Sequence, residues 1–385
     1  MTSGPNQKVA ILSVSAGAGH VRAAEALEAA AARWYPEVET IHLDLMDLVP
    51  KLFRKSYADS YVKVVQNLPA FWGYLYARTD RQEADSAMNR LRAAVERLNT
   101  RKFRRTMREL APDHVICTHF LPAQVLSEQI AKGAFDRPVW VQVTDFDVHA
   151  MWVHERMTGY FAADGEVAWR LAQRGIPGET VRVTGIPVMP VFGEPHSRAA
   201  RAAELGLNPG RMTLLLMSGG AGVTAIEILA ERLLRMEGDF QIVALAGRNE
   251  RLLADLRALA ARHPGRLFPM GFTRTIEQVM ACADIAITKS GGLTTSECLA
   301  MGLPMIVVSP IPGQEERNAN YLLENGAALI AADPSALAYR VSRLIAEPGR
   351  LEALRANARR LGKPDAARSV LDTVLGTEEP ISPVR

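Results

Sequence analysis

The sequence predicts an α/β fold built from two Rossmann-like halves, each a parallel sheet flanked by helices. Three features carry that expectation. Short apolar runs alternate with helix-forming segments along most of the chain, as a doubly wound parallel sheet requires. Several junctions from apolar run to helix are glycine turns, clearest at Thr288-Lys289-Ser290-Gly291-Gly292-Leu293-Thr294. The 385 residues exceed what one core organises, and Pro187-Val188-Met189-Pro190-Val191-Phe192-Gly193-Glu194-Pro195 places three prolines between two such series.

The first series opens with Lys8–Ser15, an apolar run that reads as a buried strand, followed by a glycine turn at Ser15–His20 and helical character through Arg33. Val38–Leu45 reads as a second strand and Asp85–Arg108 as a long helical stretch. Further strands are expected near Val115–Thr118, Val139–Thr144 and Val181–Thr184, with helical segments between them. The second series starts at Met212–Met217 and continues at Gln241–Leu245, Leu267–Pro269, Ile285–Thr288 and Met305–Val308. Helices are expected at Val223–Arg235, Asn249–Arg262, Leu293–Ala300 and Glu315–Glu324. The domains are therefore 1–190 and 191–385, with the last helix able to pack back on the first domain and Thr377–Arg385 reading as a loose tail. Ligands of open α/β sheets bind beyond the carboxyl ends of the strands, so two such halves facing each other make a cleft.

Composition narrows the function classes. No run of 18 or more apolar residues appears, and Met1–Lys8 has no apolar core, so neither a spanning helix nor a secretory signal is expected. The three cysteines, Cys117, Cys282 and Cys298, form no CxxC pair, which argues against a disulfide scaffold or zinc ribbon and for a reducing cytoplasm. The net charge is +3, but Lys51–Arg108 alone holds 14 Lys and Arg against 5 Asp and Glu. Phe53, Tyr57, Tyr61, Phe71, Trp72, Tyr74, Tyr76 and Phe103 are interleaved with them. Basic residues among aromatics suit an anionic membrane surface or a nucleic acid; the alternative is a solvated helical face with its aromatics in the core.

The turns carry the chemistry. A strand, glycine turn and helix start aim free N–H groups and a helix dipole at an anion, so Ser290, Gly291, Gly292 and Thr294 are candidate diphosphate contacts. The spacing is not that of a P-loop. Glu297, one helical turn further on, can grip two ribose hydroxyls, and diphosphate plus ribose points to a sugar nucleotide. Gly219 and Gly220, in the turn after Met212–Met217, can cradle a diphosphate or simply turn the chain. Gly271 and Phe272 can read a base edge, unless Phe272 is core. Gln314 and Glu315 are placed for sugar hydroxyls, or supply the polar first turn of a helix.

In the first half, Gly17 and Gly19 allow close approach of backbone, and His20 sits at a helix start. There its pKa should be lowered, leaving a neutral imidazole available as a base; merely capping the helix is the alternative. Asp44 ends the second strand as a dinucleotide-binding acid would, but Arg22 stands where that fingerprint wants a small residue. Asp145 and Asp147 spell DxD after a strand. Asp145 can orient His20 or act as base itself, and no metal is expected.

Four segments, ILSVSAGAGHVRAA, VTDFDVHAMW, GFTRTIEQVMACADIAITKSGGLTTSECLAMGLPMIV and PIPGQEERNANYLLENGAA, together resemble the monogalactosyldiacylglycerol synthases and diacylglycerol glucosyltransferases. That group is related to the enzyme that adds N-acetylglucosamine to lipid-linked peptidoglycan precursors. The resemblance spans most of residues 8–360. It implies a GT-B fold with the nucleotide in the C-terminal half and the acceptor in the N-terminal half. It also implies ribose at Glu297, uracil at Gly271–Phe272, diphosphate by Gly291 and Gly292, and His20 beside the acceptor as base. It favours membrane docking through residues 51–108 over nucleic acid.

The expected activity is inverting transfer of a hexose from UDP-hexose, as donor substrate and with no cofactor, to the hydroxyl of diacylglycerol. The expected place is the inner face of the cell membrane. A UDP-sugar epimerase of similar fold, an NAD(P)-dependent oxidoreductase and a UDP-binding protein without turnover are the alternatives.

Overall fold

The computed structural model describes residues 7–15, 17–50, 80, 101–218 and 226–377. In chain order its elements are β1 (Lys8–Ser13), α1 (Ala18–Trp34), β2 (Glu39–Asp44), α2 (Arg101–Leu110), β3 (His114–Cys117), α3 (Phe120–Ala131), β4 (Val139–Gln142), β5 (Gly159–Ala162), α4 (Gly165–Gln173) and β6 (Val181–Val183). There follow α5 (Arg198–Glu204), β7 (Met212–Met217), α6 (Ile226–Leu234), β8 (Phe240–Gly247), α7 (Glu250–Ala261), β9 (Leu267–Gly271), α8 (Ile276–Cys282) and β10 (Ile285–Thr288). The chain closes with α9 (Gly292–Ala300), β11 (Met305–Val308), α10 (Gln314–Glu324), β12 (Ala328–Ala331), α11 (Pro334–Ala346), α12 (Pro348–Leu361) and α13 (Ala366–Leu375). Two compact units result. One comprises Met1–Pro190, Pro312–Gln314 and Asp365–Arg385; the other comprises Val191–Ile311 and Glu315–Pro364.

In the first unit the strands run β2-β1-β3-β4-β5-β6, every neighbouring pair parallel. The chain leaves β1 to one side for β2 and returns to the other side for β3, so the switch point lies between β1 and β3. Helix α1 lies close because its buried face is nearly all alanine: Ala23, Ala24, Ala26, Leu27, Ala30 and Ala31. Val370, Leu371 and Val374 of α13 pack into the same core as Ala24, Leu27 and Ala31. The Tyr35 hydroxyl donates to the Asp372 carboxylate, which fixes where the chain's last described helix docks.

In the second unit the order is β12-β11-β10-β7-β8-β9, again all parallel, with its switch point between β7 and β10. Asp284 anchors the amino ends of those two strands. It precedes β10, accepts the Thr213 N–H at 2.8 Å and binds Arg198 of α5 and Arg355 of α12 at 2.7 and 2.9 Å.

The α/β class and the placing of β1 and β7 to β11 follow the sequence reading. Strands β5 and β12 and helices α11 and α12 were not anticipated. The expected long helix over residues 85–108 is described only from Arg101, as α2. Within α2 the i,i+4 pair Phe103 and Met107 is buried at 1% and 3% exposure, while Lys102, Arg104, Arg105 and Arg108 face solvent. Phe103 is therefore a core residue and is removed from the aromatic set offered for membrane contact. The other seven aromatics of residues 51–108 lie outside the described residues.

Candidate active site

In the first unit, the turn after β1 begins α1. Gly17 caps that helix at φ 135°, a conformation that side-chain-bearing residues rarely adopt, and this brings His20 into the first turn. His20 Nδ1 lies 2.9 Å from the carbonyl oxygen of Thr118 and 2.9 Å from Thr144 Oγ1. A carbonyl only accepts, so Nδ1 carries the proton and shares it between the two oxygens. In the neutral ring Nε2 then holds the lone pair. The Thr118 hydroxyl reciprocates, donating to the His20 carbonyl at 2.9 Å. Thr118 follows β3 and Thr144 follows β4, so the hydrogen bonds from His20 to Thr118 span the switch point of the sheet.

The imidazole is partly enclosed, the residue as a whole being half-buried. The His119 ring stands edge-on to it, centroids 4.5 Å apart at 78°, and Trp152 lies 6.1 Å away. Loss of water lowers the His20 pKa to about 4, against which the Thr118 hydrogen bond pulls upward. His119 is 3% exposed and is held well below the usual histidine range, first by burial and then by His20. Its Nδ1 accepts the Leu121 N–H at 3.0 Å and caps α3.

Asp145 and Asp147, each 4% exposed, follow β4. Asp147 lies 3.5 Å from Arg170. Gln314, which belongs to the first unit, donates from Nε2 to Asp145 Oδ2 at 2.7 Å. Among the described residues no group of three or more His, Cys, Asp or Glu is placed to hold a metal ion. Asp44 is engaged otherwise than a dinucleotide site needs. Its Oδ1 accepts the N–H groups of Ser15 and Met46 at 3.2 and 2.9 Å, which ties the β1 turn to the turn after β2.

In the second unit, Lys289, Ser290 and Gly291 follow β10, and Gly292 begins α9. No side chain caps this helix, so its first N–H groups stay available to an anion. The Ser290 hydroxyl donates to the Glu315 carbonyl at 2.6 Å, joining this turn to the start of α10. Glu315 turns its carboxylate back: Oε2 accepts the Ile311 N–H at 2.7 Å, and a side-chain carbon built on Gly291 would sit 3.9 Å from Oε1. Burial raises the Glu315 pKa and lowers that of Lys289, and each charge moderates the other's shift. The hydroxyls of Thr288 and Thr295, on either side of the turn, are buried without a hydrogen-bond partner among the described residues. Thr294 and Glu297 are half-buried, and their i,i+3 spacing puts them on one face of α9.

Gly271 ends β9, and Phe272 beside it is 55% exposed, so it is not core. The Arg248 guanidinium, just after β8, lies 4.5 Å over its ring. Gly219 and Gly220 lie outside the described residues, which resume at Ile226. The structure thus brings together Gly291 and Glu315 within a few ångströms, and surrounds His20 with Thr118, His119, Thr144 and Trp152. Sequence reasoning missed those four. Thr118-His119 was findable, because a polar pair directly after a buried strand beside the switch point is where ligand contacts gather.

Comparison with known proteins supplies the family. Residues 20–188 match the family profile of monogalactosyldiacylglycerol (MGDG) synthase, and residues 219–370 match that of the glycosyltransferase family 28 C-terminal domain. A processive diacylglycerol beta-glucosyltransferase of Bacillus pumilus is 32% identical over 265 residues, covering 69% of this chain and 68% of that one. The Bacillus subtilis protein of the same name is 28% identical over 378 residues, covering 97% of this chain and 96% of its own. Among solved structures, Acinetobacter baumannii MurG aligns with a TM-score of 0.60 at 17% identity, covering 96% of this chain and 99% of that one. That likeness establishes the fold class, GT-B. With both halves matched and a relative above 30% identity, the chain belongs to the MGDG synthase and diacylglycerol glucosyltransferase family, with a glycosyltransferase family 28 C-terminal domain.

Proposed function

We propose that this protein moves a hexose from a UDP-sugar to the free hydroxyl of diacylglycerol, with inversion at the anomeric carbon. The observation that carries the reading is His20: a neutral imidazole whose Nδ1 proton is spoken for by Thr118, leaving Nε2 to accept another. The relatives' names support diacylglycerol as acceptor and put glucose first among donors.

In the proposed step the acceptor oxygen bonds to the anomeric carbon as the bond from that carbon to the diphosphate oxygen breaks. The hydroxyl proton passes to His20 Nε2, and UDP leaves with the bonding electrons. Asp145 is the second candidate for the base. Negative charge grows on the departing diphosphate, and the open N–H groups at the start of α9 meet it, with the Lys289 ammonium adding a positive field. Glu297 serves the ribose, Gly271 and Phe272 the uracil, and Gln314 and Glu315 the sugar hydroxyls. Gly219 and Gly220 join Ser290, Gly291, Gly292 and Thr294 in holding the diphosphate. The protein works at the inner face of the membrane, and among the described residues no helix is long and apolar enough to cross it.

The test is incubation with UDP-glucose, UDP-galactose or UDP-glucuronate and diacylglycerol in anionic vesicles, read by thin-layer chromatography. One donor should give a glycolipid. His20→Gln should lower turnover by about 10²–10⁴-fold with UDP affinity unchanged. Near-normal turnover in that variant removes His20 as the base. UDP binding with no glycolipid from any donor, and release of a free altered sugar, supports an epimerase instead.

A further inference from the structure

We propose that His119 is a positioning residue for the transfer, acting through His20 by fixing its ring and keeping water from it. This inference rests on reading His20 as the base. Residues 118 and 119 grip His20 at three points. The Thr118 carbonyl accepts the Nδ1–H hydrogen bond, the Thr118 hydroxyl donates to the His20 backbone carbonyl, and the His119 ring closes edge-on at 4.5 Å. His119 is itself fixed without reference to His20. Its Nδ1 is committed to the Leu121 N–H, so the neutral ring carries its proton on Nε2 and cannot turn over without uncapping α3.

Capping alone does not account for a histidine here. Asn, Asp, Ser and Thr cap helices better, and a fully buried imidazole loses more water than any of them needs to. What histidine adds is a flat ring that packs simultaneously on His20, on Phe120 at 4.1 Å and toward Trp152 at 6.3 Å. The rings of His119 and Trp152 flank the His20 side chain, and Phe120 packs against both of those rings. The His119 Nδ1 lone pair is already engaged by the Leu121 N–H, so His119 offers the transferred proton no second destination.

The other titratable groups around the pair are accounted for. On α1, Arg22 and Glu25 pair with each other at 2.6 Å. After β2, Asp44 takes backbone N–H groups. After β4 stand Asp145, Asp147 beside Arg170, and His149, whose Nδ1 accepts the Met151 N–H. His154 meets the Phe120 carbonyl at 3.2 Å.

The test compares His119→Asn, which keeps a capping acceptor for Leu121, with the unaltered protein. Ring proton NMR of His20 gives its titration directly, whatever reaction the protein performs. The acid limb of kcat/KM gives the same quantity through catalysis. In the Asn variant the His20 midpoint should rise from about 4 toward about 6.5, and kcat should fall at least about tenfold with KM for the donor unchanged. His119→Phe, which keeps a ring but loses the cap, should hold the midpoint low while melting at a lower temperature. If His119→Asn leaves both the NMR midpoint and kcat as they were, His119 is only a helix cap and the inference fails. If the midpoint moves but His20→Gln retains full turnover, the coupling stands and the reading of His20 as base fails instead.

Discussion

A histidine's usefulness as a base depends on which nitrogen is free and whether the ring stays neutral, and in His20 a backbone carbonyl settles the first and burial the second. The Thr118 carbonyl selects the Nδ1–H form, and burial keeps the ring uncharged down to about pH 4. A pKa that low makes the neutral ring a weak proton acceptor. The same burial has a consequence for stability. The folded-state pKa lies below the unfolded value of about 6.5, so the unfolded chain binds more protons between the two. Stability contributed by the neutral ring is complete above about pH 6.5 and is lost as pH falls toward about 4. For a half-buried residue that still meets some water this amounts to about 2 kcal/mol. His119 and His114, both lowered by burial, act in the same sense. Glu315 and Asp164, both raised by burial, act oppositely, each upward from its ordinary value of 4.5 and 3.8. Calorimetry from pH 7 to pH 5 should therefore show a falling Tm, with a shallower fall in His20→Gln. Equal slopes in the two proteins would mean that the His20 ring is hydrated in solution.

At the scale of elements, what was legible in the sequence divides cleanly by physics. Strands β7 and β10 are continuous apolar runs ended by glycine turns, and both signals are local. The unanticipated β5 gives neither. It is four residues long and begins with Gly159, which reads as a breaker. The reason for that glycine lies on another strand: an added side-chain carbon would come within 2.5 Å of the Trp140 ring of β4. Strand β12 is as short, and helices α11 and α12 follow no glycine turn that would draw attention. The candidate site was legible where chemistry sits on a turn, as at Gly291 and His20. It was hidden where a residue's importance comes from another chain segment's arrival, as for Thr118, His119 and Thr144. Gly362 is a further case. It follows α12, and a side-chain carbon there would fall 2.3 Å from the Leu299 carbonyl oxygen at the end of α9. Since a backbone atom cannot step aside cheaply, Gly362→Ala should cost about 1–3 kcal/mol. Helix α9 carries Glu297, so the displacement should also weaken UDP binding. Thermal melts and a UDP titration of the variant check both, and a Tm within a degree of the parent would contradict the close approach.

For the whole molecule, charge distribution is the property with the clearest expected effect. A net charge of +3 hides the 14 Lys and Arg against 5 Asp and Glu of residues 51–108. The described end of that stretch, α2, turns Phe103 and Met107 inward and leaves Lys102, Arg104, Arg105 and Arg108 outward. This is a basic face whose apolar anchors are already used by the core. In the proposed membrane contact its contribution is therefore electrostatic rather than insertion. A lysine or arginine near an anionic bilayer contributes about 1 kcal/mol, and the attraction decays within a Debye length. Lys102 and Arg105 are partly engaged, with the Asp47 carbonyl at 2.8 Å and Glu109 at 2.6 Å, so their share is smaller. Sedimentation with anionic vesicles should show binding that weakens steeply as salt rises and is nearly absent on neutral vesicles. Replacing Arg104 and Arg108 with Gln should weaken vesicle binding by about thirtyfold at low salt while leaving UDP affinity and Tm unchanged. Binding that is indifferent to salt and to these two arginines would move the membrane contact away from α2 and onto apolar groups elsewhere in the chain.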